Sequence, residues 1–196
     1  NLVTPDHFVP QICAALDRAK AEGLTLPVVY NSSAYTRTET LKLLEGSVDI
    51  YLPDLKYMDS AIAKKYSACA DYFQHASRAI REMVRQTGEP VFDAQGIMQK
   101  GVLVRHLLLP GCLGDAKNIV KYLHETFGDK IYLSLMNQYT PLGHYPDCLE
   151  LDRRITAEEY EELVDYALSI GVENGFRQEG ETALESFIPP FDGQGV

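Results

Sequence analysis

The chain has 196 residues and a formal net charge of −10, enough length for one domain with a sizeable core. Its acidity argues against a nucleic-acid partner, which usually meets basic protein, and no apolar run approaches the ~20 residues a membrane span needs. A single α/β domain over 1–196 is expected, with an acidic tail from about residue 174.

Asn1-Leu2-Val3 reads as a strand already under way. Thr4-Pro5 then reads as a helix start, Thr as the cap and Pro in the first turn. Ile12, Ala15, Leu16 and Ala19 keep helical spacing up to Gly23. A short strand follows over Leu26–Tyr30 and ends in Asn31-Ser32-Ser33. Thr36 and Glu39 have capping-box spacing for a second helix, closing near Gly46.

Val48–Leu52 is the next strand and runs into Pro53-Asp54-Leu55-Lys56. Helical patterns cover Ser60–Ala68 and Asp71–Gln86, and Gly88–Gly101 is turn-rich. The most apolar strand, Val102–Leu109, closes in Pro110-Gly111. A helix over Asp115–Phe127 leads to a strand over Ile131–Met136, which ends in Asn137-Gln138-Tyr139. A second capping box, Thr156 and Glu159, opens a helix to Ile170.

Five strands in alternation with helices imply a parallel sheet with right-handed crossovers. The apolar strands suit burial on both faces. The first βα turn, Val3-Thr4-Pro5-Asp6-His7, carries no G-x-G-x-x-G, and no Walker sequence occurs. A partial βα barrel is therefore favoured over a doubly wound nucleotide-binding sheet. Barrels gather their chemistry at the carboxyl ends of the strands.

The polar residues at those ends are the candidate site. Asp54 and Lys56 are two apart and project from one face of an extended chain; a surface turn is the plain alternative. Arg105 interrupts an apolar strand, and a guanidinium there needs a partner. It is expected to point inward as an anion clamp, with His106 packed on the opposite face. Asn31 and Ser32 either donate to a ligand or cap their loop. Asn137 and Gln138 suit hydrogen bonding to a polar ligand.

His7 reads chiefly as a capping residue, and His144 lies in a Gly/Pro-rich loop. Cys13, Cys69, Cys112 and Cys148 have no metal-ligand spacing. With no secretory leader pattern they read as reduced thiols in a cytoplasmic protein; Cys13 reads as core and Cys112 as loop packing. Eleven acids between Glu150 and Glu185 face only Arg153, Arg154 and Arg177, which reads as a solvated face.

Five segments in order resemble the radical S-adenosylmethionine superfamily, in particular proteins similar to pyruvate formate-lyase-activating enzyme. They are Asn1-Leu2-Val3-Thr4-Pro5, Val29-Tyr30-Asn31-Ser32-Ser33, Tyr51-Leu52-Pro53-Asp54-Leu55-Lys56, Leu103 through Gly111, and Met136-Asn137-Gln138-Tyr139. The resemblance implies a partial (βα)6 barrel. It also implies a C-x-x-x-C-x-x-C loop holding a [4Fe-4S] cluster that chelates S-adenosylmethionine and cleaves it to a 5'-deoxyadenosyl radical. In activating enzymes the radical takes a hydrogen from a glycine of a glycyl radical enzyme, the partner implied here.

By this resemblance Asn31, Ser32, Asp54 and Lys56 lie along S-adenosylmethionine, with Arg105, Asn137 and Gln138 nearby. Thr4-Pro5 departs from the family's Gly-Gly-Glu stretch. No three cysteines have the cluster spacing, so the chain is expected to lack the first βα unit and to make no radical alone. Its first strand is then an open edge, and self-association through Asn1–Val3 is expected. Two other readings stand beside this one: a non-catalytic module binding a small anion or a protein, and a barrel enzyme forming a Schiff base at Lys56.

Overall fold

The computed structural model describes residues 1–177; the acidic tail lies outside the described residues beyond that point. The strands are β1 (Leu2–Val3), β2 (Val29–Ser32), β3 (Ile50–Pro53), β4 (Val91–Phe92), β5 (Met98–Leu107), β6 (Tyr132–Met136) and β7 (Gly175–Arg177). The helices are α1 (Val9–Ala21), α2 (Thr38–Lys42), α3 (Ser60–Ser67), α4 (Tyr72–Thr87), α5 (Leu113–Phe127) and α6 (Ala157–Ser169). The sheet order is β1-β2-β3-β5-β6-β7, every neighbour parallel, with β4 antiparallel on β5. Among the described residues β1 and β7 do not pair, so the fold is an α/β partial barrel.

Strand alternation divides the side chains into two sets. Tyr30, Tyr51, Leu55, Val104, Leu133 and Leu135 face the helices and are buried. Their register neighbours Asn31, Leu52, Leu103, Arg105 and Ser134 line the concave face and are half-buried. The expected burial on both faces is thus corrected. The helices cover one face, and nothing among the described residues covers the other to the same degree.

Several local expectations also change. Thr4 does not cap a helix: it sits at φ 46° with no side-chain cap bond, and a 3-10 turn over Pro5–Phe8 precedes α1. Thr36 does not form a capping box either. Its hydroxyl donates to Asp6 Oδ1, and α2 starts after Arg37. The turn-rich insertion contains a hairpin, in which Asp93 Oδ1 accepts from the backbone N–H of Gln95 and Ile97. Its close packing requires Gly101, where a Cβ would sit 3.1 Å from Pro90 Cα and φ is +140°.

The second capping box forms as expected. Glu159 N–H donates to Thr156 Oγ1 at 3.2 Å, and Thr156 N–H to Glu159 Oε2 at 2.9 Å. Thr156→Ala should cost about 1 kcal/mol, read as a fall of roughly 2–4 °C in melting temperature. An unchanged melting curve would contradict the cap's role.

In the described part of the acidic stretch some acids are paired, while Glu158, Glu161, Asp165 and Glu173 are exposed. Glu159 takes a fork from Arg153 at 2.7 Å, and Glu162 accepts from Lys117 at 2.6 Å. Glu150 pairs with Lys65 and accepts from the Tyr66 hydroxyl, which holds its carboxyl down at about 2. The described stretch is thus a solvent-exposed acidic face in which Glu150, Glu159 and Glu162 also form ion pairs that join the loop after β6 and helix α6 to their neighbours.

Candidate functional site at the strand carboxyl ends

Residues beyond the end of β3 meet β5 at an isolated parallel bridge between Asp54 and Arg105. Asp54 N–H donates to Ser32 O and Leu55 N–H to Arg105 O, both at 2.9 Å. These bonds tie the ends of β2, β3 and β5 into one frame. They bring Asp54 and Arg105, 51 positions apart in the sequence, onto the same concave face.

Arg105 Nη2 donates to Asn31 Oδ1 at 2.6 Å and lies 2.7 Å from Asp54 Oδ1. The second contact is an ion pair whose angle leaves Asp54 Oδ1 without a hydrogen bond; Arg105 Nε has none either. Lys56 Nζ stands 3.8 Å from Asp54 Oδ2. Asp54, Lys56, Tyr57, Arg105, Leu107 and Gln138 contribute to the wall of a cavity of about 220 Å³. Drug-sized ligands usually occupy roughly 300–1,000 Å³, so this space encloses part of a ligand.

The arrangement has a definite chemistry. Two cations and one carboxylate share a partly dry mouth, with one buried donor and one buried acceptor unmatched. Such a site suits a zwitterion, whose carboxylate meets Arg105 or Lys56 and whose amine meets Asp54. The methionyl end of S-adenosylmethionine is a group of this kind, and the residues present fit it.

Tyr72, on α4, was missed by sequence reasoning and holds this turn in place. Its buried hydroxyl accepts Lys56 N–H at 3.0 Å and faces the carbonyls of Asp54 at 2.7 Å and Ser33 at 2.9 Å. Burial pushes its phenol well above the ordinary value, so it stays a neutral donor. Asp115, at the start of α5, accepts Met58 N–H and Asp59 N–H at 3.0 and 2.8 Å and fixes the next part of the same loop. No periodicity marks these two, because each acts on a segment far away in sequence. Leu107 and Met136 were findable: they follow Arg105 and Ser134 by two in register-paired strands.

The remaining candidates lie as follows. Ser32 is buried on the helix side, where its Oγ accepts Ala34 N–H at 3.2 Å; it caps its own loop and does not share the face of Asn31. Asn137 is half-buried at the end of β6, while Gln138 lines the cavity. His106 packs opposite Arg105. Its Nδ1 donates to Leu55 O at 2.8 Å, its Nε2 has no partner, and burial lowers its pKa.

His7 is exposed, and His144 pairs with Asp152 in an exposed loop. Cys112 is buried beside α5, and burial raises its thiol pKa. Cys13 is half-buried and packs against the core, its Sγ donating to Leu43 O at 3.3 Å. All four cysteines are free thiols, and among the described residues no group of three or more His, Cys, Asp or Glu could hold a metal ion. These residues do not fit an iron-sulfur cluster. No described helix is long and apolar enough to cross a membrane.

No protein-family model matches the sequence. Over 162 residues it is 27% identical to MJ0674, an uncharacterized protein of Methanocaldococcus jannaschii, covering 81% of this chain and 43% of that protein. The chain thus spans less than half the length of that relative. Its fold is similar to the crystal structure of a domain of pyruvate-formate lyase-activating enzyme from Bacteroides vulgatus, with a TM-score of 0.60 at 15% identity over 89% of this chain and 94% of that domain. The chain therefore has an α/β fold, a parallel partial barrel like that activating-enzyme domain.

Proposed function

We propose that this chain is the S-adenosylmethionine-binding barrel portion of a radical S-adenosylmethionine enzyme of the kind that activates glycyl radical enzymes. The observation that carries the reading is the Asp54–Arg105–Lys56 group, which leaves Arg105 Nε and Asp54 Oδ1 unmatched at the mouth of a barrel of this type. Arg105, oriented by Asn31, holds the ligand carboxylate; Asp54 receives the amine; Lys56 adds positive charge at the rim. Tyr72 keeps the Asp54–Lys56 turn rigid. Leu107 and Met136 supply an apolar floor that excludes water.

Radical generation is assigned to a longer protein that carries the cysteine loop, since the described residues do not fit the cluster. The partner is a glycyl radical enzyme, and the protein works in the cytoplasm.

Saturation-transfer NMR with S-adenosylmethionine tests the site without needing tight binding. Transfer to the methionyl protons is expected. Arg105→Leu should weaken binding roughly tenfold or more, the value of a lost hydrogen bond to a charged group. No transfer, or transfer indifferent to the substitution, would remove the support. A borohydride-trapped adduct at Lys56 would instead favour imine chemistry.

A further inference from the structure

Tyrosine is the most readily oxidised aromatic side chain of this protein, which has 12 Tyr and no Trp. Four of the tyrosines form one continuous chain of rings. Tyr57, at the wall of the mouth cavity, packs edge-on against Tyr72 with centroids 5.6 Å apart. Tyr72 stacks on Tyr35, in the loop after β2, at 6.1 Å. In the other direction Tyr57 meets Tyr66 of α3 at 6.3 Å. These separations lie within the roughly 4.5–7 Å of contacting aromatic pairs. Tyr57 and Tyr72 are buried, Tyr66 is half-buried and Tyr35 is 44% exposed. The rings thus lead outward from the mouth in two directions.

Their hydroxyls are partnered differently at the ends and in the middle. Tyr35 donates to Asp71 Oδ1 at 3.0 Å, and Tyr66 donates to Glu150 Oε1. Tyr57 pairs with Ser67 Oγ at 3.1 Å, and Tyr72 faces backbone carbonyls. A carboxylate takes the phenolic proton when a ring is oxidised; a hydroxyl or a carbonyl does not. Of these four rings, the two outer ones carry the proton acceptors. Packing alone does not call for that distribution.

We infer that these tyrosines drain oxidising equivalents from the mouth to the surface. A one-electron oxidant at the mouth, an organic radical or an oxidised metal complex, takes one electron from Tyr57 and is itself reduced. Tyr66, or Tyr72 followed by Tyr35, passes an electron inward to refill it. At the outer ring left oxidised, the O–H proton moves to Glu150 or Asp71 and a neutral tyrosyl radical remains. A small-molecule thiolate then supplies the missing electron and becomes a thiyl radical, and the carboxyl returns the proton. The mouth is spared damage by an oxidant that has lost its substrate. The inference rests on the proposed function only for the natural source of the oxidant.

The test supplies its own oxidant to the full chain. A ruthenium polypyridyl photosensitiser is attached at Lys56→Cys, with the half-buried Cys13, Cys69 and Cys148 replaced by Ser and the buried Cys112 kept. It is oxidised by light with persulfate as the electron acceptor, and a nitroso spin trap with peptide mapping reports where the radical settles. Adducts are expected at Tyr66 and Tyr35. Tyr57→Phe keeps the ring and loses the readily oxidised phenol, and it should abolish both adducts. Tyr66→Phe closes one exit and should raise the yield at Tyr35. Absence of adducts at both outer tyrosines overturns the inference. Adducts that Tyr57→Phe leaves unchanged overturn it too, because the sensitiser then reaches those rings directly. A Tyr35 yield indifferent to Tyr66→Phe shows that the two ends share no path. No S-adenosylmethionine is needed, so failure here is distinct from failure of that ligand to bind.

Discussion

Arg105→Leu should destabilise the protein by about 2–3 kcal/mol, because on a half-dry face it strands Asp54 without its counter-ion and the Asn31 carbonyl without its donor. The Asp54 and Arg105 side chains are 22% and 26% exposed, so solvent screens the pair only in part. At this chain length the loss reads as roughly 4–12 °C of melting temperature. Adding Asp54→Asn removes the uncompensated charge and should recover a large part of the loss. The expected coupling between the two positions is on the order of 1–3 kcal/mol. Ligand binding should not recover in the double variant, since neither clamp remains. Strictly additive destabilisation would show that the two side chains do not act as a pair.

That pairing could be read from the sequence only in halves. Asp54 and Lys56 are two apart, so their shared face follows from strand geometry alone. Arg105 facing opposite His106 follows in the same way. Their meeting depends on β3 lying beside β5, with Ile50 opposite Gly101. The sequence hides this because β4 intervenes: two residues are too few to show alternation, and the hairpin is held by an Asp93 side chain rather than by apolar pattern. β7 escaped for the same reason, being three exposed residues.

The failed capping box at Thr36 has a distant cause. Thr36 had the right spacing, yet its hydroxyl is taken by Asp6, thirty positions upstream. A local motif loses when a distant partner holds the same atom. Thr156 succeeded because the Arg153 fork on Glu159 reinforces the box instead of competing with it. Thr4 shows the opposite limit. Its N–H bonds to Asn31 O at 2.9 Å, and the turn forces a β-branched residue to positive φ, a conformation Gly adopts freely. This is the place where the resemblance leads one to expect glycine.

Acid should unfold this protein in large part through Glu82. Its side chain is 7% exposed, and both oxygens take Arg85, Nε at 2.8 Å and Nη2 at 2.7 Å. Gln86 Nε2 adds a bond at 2.8 Å, and the same amide takes the buried Tyr51 hydroxyl on its Oε1 at 2.6 Å. These bonds, Arg85 first, hold the Glu82 carboxyl at about 2 against the opposing effect of burial. The unfolded value is 4.5. The folded value is the lower one, so the native state favours the ionised form and the unfolded state binds the proton first. The stabilisation is complete above about pH 4.5 and disappears as pH falls toward 2. Glu82→Gln should lower stability at neutral pH, where Arg85 keeps only its fork to Glu45. It should also flatten the acid limb of a plot of unfolding free energy against pH. A Glu82→Gln curve parallel to the native one between pH 4.5 and 2 would place the acid sensitivity elsewhere, with Glu150 and Glu159 the next groups to substitute because their carboxyls are also held at about 2.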